Sequence, residues 1–181
     1  MIGIVNYGMG NLLSVQRKLD RIGAKSIISN QPEQLHKCEK IILPGVGHFA
    51  KAMEQLANYD LLSFLNDFAI HQKKYILGIC LGMQLMAKRS EEGNVDGLCW
   101  FDAEVVRFRI KNLKKYKVPH MGWNNVVIKK ANKLFDNVNL SFGFYFLHSY
   151  HILCSDKSDE LNETIYEYPF TSAIMKDNII G

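Results

Sequence analysis

Short apolar runs alternate with helix-spaced apolar positions through the first half of the chain. Residues 2–6 read as a strand and Tyr7-Gly8-Met9-Gly10-Asn11 as a turn. Leu12, Val15, Leu19 and Ile22 recur at helical spacing, and Gly23 stops that helix. Residues 24–29 and 40–43 read as two further strands, the second broken by Pro44-Gly45-Val46-Gly47. Helices over 49–56 and 61–71 follow. Residues 75–79 read as a buried strand ending at Cys80, with a helix through Leu85 and Met86 behind it. Strands alternating with helices predict an α/β fold: an open, mostly parallel sheet with helices on both faces. Residues 104–108, 125–128, 143–147, 151–154, 164–168 and 172–175 look extended, so extra antiparallel strands are expected on that sheet.

Length and composition narrow this picture. The 181 residues fit one domain, 1–181, with no linker or repeat to divide it. At 48% hydrophobic and 22% charged residues, the chain is not of disordered type. A net charge of +4 is too mild to point to nucleic acid, and no apolar run is long enough for a membrane span. Lys111, Lys114, Lys115 and Lys117 have no aromatic platform beside them and read as a solvated loop. The chain enters a strand at once, without a basic leader, which leads us to expect the cytoplasm. Cys38, Cys80, Cys99 and Cys154 form no C-x-x-C pair and no zinc spacing, so neither a metal nor a cofactor is expected. Cys38, Cys99 and Cys154 read as small, partly buried hydrophobes.

Cys80 differs because of its neighbours. A strand runs into Gly78-Ile79-Cys80-Leu81-Gly82, and a helix starts immediately after. This is the cysteine counterpart of the strand–turn–helix nucleophile elbow, in which the flanking glycines relieve crowding. The turn sets the nucleophile at the carboxyl end of the strands, where doubly wound sheets bind ligands. A helix N-terminus beside the thiol is expected to favour the thiolate and to offer N–H groups to an oxyanion. Pro44-Gly45-Val46-Gly47 is then a candidate oxyanion loop. His148 and His151 are both open as partners for Cys80.

These residues resemble the class I, triad-type glutamine amidotransferases. Residues 6–12 (Asn-Tyr-Gly-Met-Gly-Asn-Leu), 118–124 (Val-Pro-His-Met-Gly-Trp-Asn) and 144–150 (Phe-Tyr-Phe-Leu-His-Ser-Tyr) narrow the likeness to the glutaminase subunits of imidazole glycerol phosphate synthases, over essentially the whole chain. The resemblance implies that Cys80 attacks the carboxamide of glutamine, releasing ammonia and forming a glutamyl thioester that water opens to glutamate. It implies an oxyanion hole from the backbone N–H groups of Val46 and Leu81. Gly47, Gln84, His148, Ser149 and Tyr150 would hold the amino-acid part of the substrate. It also implies a heterodimer with a (β/α)8-barrel cyclase subunit, with no nucleic acid or membrane involved. The cyclase would use the ammonia to make imidazole glycerol phosphate and aminoimidazole carboxamide ribotide in histidine biosynthesis. Asn11, Arg17, Trp123 and Tyr145 match positions that face the partner in that family.

One part of the family pattern is absent. The base and its orienting acid lie in a C-terminal strand as His-x-Glu, and no His-x-Glu occurs in residues 1–181. Neither His148 nor His151 matches the base position. The domain as written therefore lacks the family's C-terminal strand and tail, and activity is expected only with them. Two alternatives stay open: a paralogous glutaminase that feeds amidation of a surface-glycan sugar, and a non-catalytic regulatory subunit without the His and Glu. A serine hydrolase is disfavoured by the cysteine itself. A dinucleotide site is disfavoured because Gly8-x-Gly10 lacks the third glycine and a suitably placed acid.

Overall fold

Apolar residues at alternate positions of the first strands face two separate cores, and helices cover both. The computed structural model describes residues 1–136, 138–139 and 142–181. Its first half runs β1 (Ile2–Val5), α1 (Leu12–Arg21), β2 (Ser26–Ser29), α2 (Pro32–Leu35), β3 (Lys40–Gly45), α3 (Phe49–Asn58), α4 (Leu61–Asn66), β4 (Tyr75–Cys80) and α5 (Leu81–Gln84). Ile4 and Ile42 pack with Leu19 of α1 on one face. Val5, Ile41 and Leu43 pack with Phe49, Ala52 and Leu56 of α3 on the other. The two-residue period of a strand thus sorts side chains between the helical layers. A π-helical turn, Asp67–His71, prolongs α4 to the length expected from its apolar spacing.

The second half holds β5 (Ala87–Ser90), β6 (Val95–Asp96), β7 (Phe101–Arg107), β8 (His120–Asn124), β9 (Val127–Ile128), β10 (Phe144–His148), β11 (Tyr150–Cys154), β12 (Glu160–Tyr166), β13 (Tyr168–Lys176) and β14 (Ile179–Ile180). The main sheet is ordered β2-β1-β3-β4-β14-β13-β11-β7-β5-β6, with β12 and β9 attached beside β13. Its first five strands are parallel. From β14 onward the pairings are antiparallel except β5 with β7. β8 and β10 form a separate antiparallel ribbon. The expected fold class, a mostly parallel sheet with added antiparallel strands, is the one observed.

Four local expectations are corrected. β3 does not break at Pro44 but runs to Gly45. Its pairing with β1 ends at Ile42, so the missing proline N–H deprives that neighbour of nothing. β4 is not buried on both faces: Ile76 and Gly78 are buried, whereas Tyr75, Leu77 and Ile79 are open. The helix after Cys80 ends at Gln84 instead of running through Met86: the Met86 N–H bonds the Met83 carbonyl only three residues back, and β5 already begins at Ala87. Cys99 is exposed, while Cys38 and Cys154 are buried as expected. The lysine-bearing stretch is an exposed loop, anchored by Glu167, whose carboxylate accepts from the N–H groups of Lys111 and Asn112 at 2.7 and 2.8 Å.

Candidate active site

Cys80 is held in a backbone conformation that side chains rarely adopt. Its φ is 54° and its ψ −114°, at the point where β4 turns into α5. Such strain persists only when the surroundings enforce it, and the glycines show how they do. A Cβ on Gly82 would strike the Leu43 carbonyl on the neighbouring strand. One on Gly78 would lie 2.7 Å from both the Gly82 oxygen and the Met83 nitrogen. The turn is therefore packed backbone to backbone on both sides of the cysteine.

The β3–β4 register brings the second glycine turn to the same place. Gly45 stands opposite Cys80, so Val46 and Gly47 leave the sheet beside the thiol. Gly47 has φ +113°, and Val46 is exposed. The buried Tyr7 hydroxyl donates to the Pro44 carbonyl at 2.8 Å and pins this strand end. Burial first, then the nearby Cys80, pushes the Tyr7 phenol well above its usual range, so it stays a donor. Tyr7→Phe leaves that carbonyl without its donor. A loss of about 1–3 kcal/mol is expected, measurable as a lower urea midpoint with unchanged slope.

A cleft of about 420 Å³ opens along the free faces of Leu77 and Ile79. It brings together Cys80, Gln84, Tyr145, His148, Tyr150 and His151 of the residues singled out in the sequence. Leu81, Val46, Gly47 and Ser149 are not among its lining, although Val46 and Leu81 flank Cys80 along the chain and the sheet. The thiol is open to solvent at the mouth of apolar walls. Desolvation there raises its pKa, and only the Leu81 N–H acts in the opposite direction. The N–H at the start of α5 does favour the thiolate as expected, but burial outweighs it. Alkylation of Cys80 by iodoacetamide is accordingly expected to be slower at pH 7.5 than that of an unstructured cysteine peptide. Its rate should go on rising with pH beyond the point where that of the peptide levels off.

Neither cleft histidine is bonded to Cys80. His148 Nδ1 lies 2.8 Å from the Tyr150 carbonyl, and its Nε2 lies 3.1 Å from Nδ1 of His120. His151 Nδ1 lies 3.1 Å from the Ile152 carbonyl, with the Tyr168 hydroxyl 3.3 Å from Nε2. Burial is the largest cause holding both rings below the usual histidine range. Gln84 donates its amide to the Tyr150 carbonyl at 3.0 Å, tying the elbow helix to β11.

The residues matched to a partner surface divide between two elements. Asn11 caps α1, its side-chain oxygen accepting from the Ser14 N–H at 3.3 Å, and Arg17 is exposed on the same helix. Trp123 and Tyr145 stand opposite each other on the β8–β10 ribbon, with edge-to-face rings 5.7 Å apart. Met121 and Leu147, also paired, share their face, and all four side chains are more than half exposed. Sequence reasoning missed Met121 and Leu147. The strand period would have found them had residues 120–124 been read as a strand.

A strained cysteine elbow beside a glycine-bearing strand end, on this sheet, is the framework of one family. The class-I glutamine amidotransferase model matches residues 4–177, and the chain belongs to that family. Over all 181 residues it is 47% identical to imidazole glycerol phosphate synthase subunit HisH 2 of Methanococcus maripaludis, covering 89% of that protein. It is 45% identical to the subunit HisH of Sulfurimonas denitrificans, covering 87% of it, and 40% identical to HisH 2 of Pseudomonas aeruginosa, covering 89%. Among solved structures, a glutamine amidotransferase superposes with a TM-score of 0.71 at 12% identity, over 99% of this chain and 86% of the other. A glutamine amidotransferase from Thermotoga maritima gives 0.63 at 14%, over 99% and 73%. The solved structures share the fold.

Proposed function

We propose that this chain is the glutaminase subunit of an imidazole glycerol phosphate synthase. The observation that carries the reading is the strained Cys80 turn in register with Gly45, on a chain similar along its whole length to proteins of that name. The Cys80 sulfur gives its proton to the general base and attacks the glutamine carboxamide carbon, and the carbonyl oxygen becomes an oxyanion facing the N–H groups of Val46 and Leu81. The C–N bond breaks, and nitrogen leaves as ammonia with a proton from the general acid. Water, deprotonated by the same group, opens the thioester to glutamate and restores the thiol. Gly47, Gln84, His148, Ser149 and Tyr150 hold the amino-acid part of glutamine.

The general base is proposed to lie beyond Gly181. β14 pairs with β4 only at Ile76 and Leu77, and the cleft flanks Gly78 to Cys80 on that side. Carried on in the same register, the third position after Ile180 stands opposite Cys80. A His-x-Glu in such a continuation would reach the thiol. Ammonia then passes to a (β/α)8-barrel cyclase docked on Trp123, Tyr145, Asn11 and Arg17, as a cytoplasmic heterodimer with lyase activity in histidine biosynthesis. No helix among the described residues is long and apolar enough to cross a membrane.

The test is glutamate release from glutamine by the full-length gene product, with the cyclase and its nucleotide ligand present. Release that needs the partner supports the proposal. A chain that docks but releases no glutamate is a regulatory subunit instead. Trp123→Ala is expected to weaken docking about 30-fold or more by calorimetry, as aromatic anchors do. Because Trp123 is exposed, the isolated chain's thermal midpoint should move by less than about 2 °C. A second reading keeps the glutaminase and changes the acceptor to a surface-glycan sugar. The numbered names of the Methanococcus and Pseudomonas relatives favour weighing it. Rescue of a histidine auxotroph lacking this subunit decides between the two.

A further inference from the structure

The face of the β8–β10 ribbon opposite Trp123 carries two histidines whose hydrogen bonds run in one direction. His120 and His148 stand opposite each other at one end of the ribbon. The Tyr150 carbonyl can only accept, so His148 Nδ1, 2.8 Å away, carries a proton. In a neutral ring His148 Nε2 is then an acceptor, and His120 Nδ1, at 3.1 Å, donates to it. His120 Nε2 is thereby left bare and accepts from the Asn124 amide at 3.3 Å. That amide is oriented by two more bonds: it donates to the Ile165 carbonyl at 3.0 Å, and Asn124 Oδ1 accepts from the Asn125 N–H at 2.8 Å. At the far end, the Tyr150 carbonyl takes a second bond from Gln84. A polarised chain therefore runs from Asn124, next to Trp123, to the Tyr150 carbonyl, where it meets the amide of Gln84, four residues after Cys80.

Packing holds this chain in place. The buried His120 ring stacks on Phe146 and on Tyr166, with centroids 4.8 and 4.0 Å away. Phe108 and Phe170 meet it edge-on. Burial, then the proximity of His148, pushes His120 down to about 4, so the ring is neutral at pH 7. Turning the ring over would put a carbon where each nitrogen now bonds, and the other tautomer would set donor against donor at Asn124. No step of the glutaminase cycle uses His120, so its burial and fixed polarity call for another role.

We propose that His120 is a positioning residue that couples partner docking on the Trp123–Tyr145 face to the glutamine subsite at Tyr150 and Gln84. This rests on the glutaminase reading above. A partner that shifts the ribbon moves His120 and His148 with it, and the shared Tyr150 carbonyl passes that shift to the elbow helix.

Two measurements test it. In the full-length chain bound to its cyclase, ¹⁵N-edited NMR of the histidine rings at pH 7 should show Nδ1 protonated and Nε2 bare in both His120 and His148. The Nε2-protonated tautomer in either ring overturns the proposal, whatever becomes of a variant. His120→Phe keeps the stacked ring and removes both polar atoms. The ratio of partner-bound to partner-free glutaminase kcat is expected to fall about tenfold, with the Kd for the cyclase within about twofold. His120→Asn, which restores a donor near Nδ1, should recover part of that ratio. A folded His120→Phe chain with the full ratio overturns the proposal. Absence of partner stimulation in the unsubstituted complex would instead overturn the glutaminase reading, and the ring tautomers would still be read independently.

Discussion

Cys80→Ala is expected to abolish glutamate release while leaving fold and docking intact. The full-length chain with this change, in complex with the cyclase, should lose at least about 10⁴-fold in kcat, the scale on which removal of a nucleophile acts. The thiol is exposed at the cleft mouth and makes no hydrogen bond that the fold depends on, so the thermal midpoint should hold. Cyclase affinity should hold as well, because Trp123 and Tyr145 lie on a separate ribbon. When ammonia is supplied directly, the complex should still make product. Loss of the ammonia-dependent reaction as well would mean that the substitution had damaged the interface rather than the chemistry.

Gly82→Ala is expected to be the most damaging single methyl group in the chain. The new Cβ would collide with the Leu43 carbonyl, which is backbone in a central strand and cannot swing aside. Relief requires α5 to lift off β3 beside the nucleophile. Overpacking of this kind costs about 3 kcal/mol or more, lowering the melting temperature of a domain this size by roughly 6–12 °C. Partner-stimulated glutaminase activity should fall further than stability alone would require, because the same shift disturbs the Val46 and Leu81 N–H groups. Gly23→Ala is a useful contrast. It also replaces a glycine, here a left-handed one, but nothing lies within 4 Å of the added carbon, so only the conformational strain of about 1 kcal/mol remains.

These two residues show why so much of the site was legible in the sequence. An elbow is a local device: strand, turn glycines and helix start are adjacent in the chain, and steric demand fixes their spacing. The parallel half of the sheet was legible for the same reason, since each strand and its helix are written consecutively. What could not be read is non-local. The ribbon strand at residues 120–124 contains Gly122, with φ +132°, and gains its pairing from residues 144–148, so its own pattern is weak. β14 is two residues long and exists because β4 and β13 flank it. The early end of the elbow helix goes with β5, which starts at Ala87 and pairs with β7. The thiol's raised pKa comes from apolar walls contributed by distant strands, which outweigh the one favourable N–H.

In the proposed reaction Cys80 carries the glutamyl group while ammonia moves on to the partner. The most direct measurement is an acid quench of the full-length complex during turnover with glutamine, followed by mass analysis of the peptide containing Cys80. A glutamyl thioester on Cys80 is expected, and it should disappear when hydroxylamine is added. Steady release of glutamate with no adduct at Cys80, or with the adduct on another residue, would contradict it.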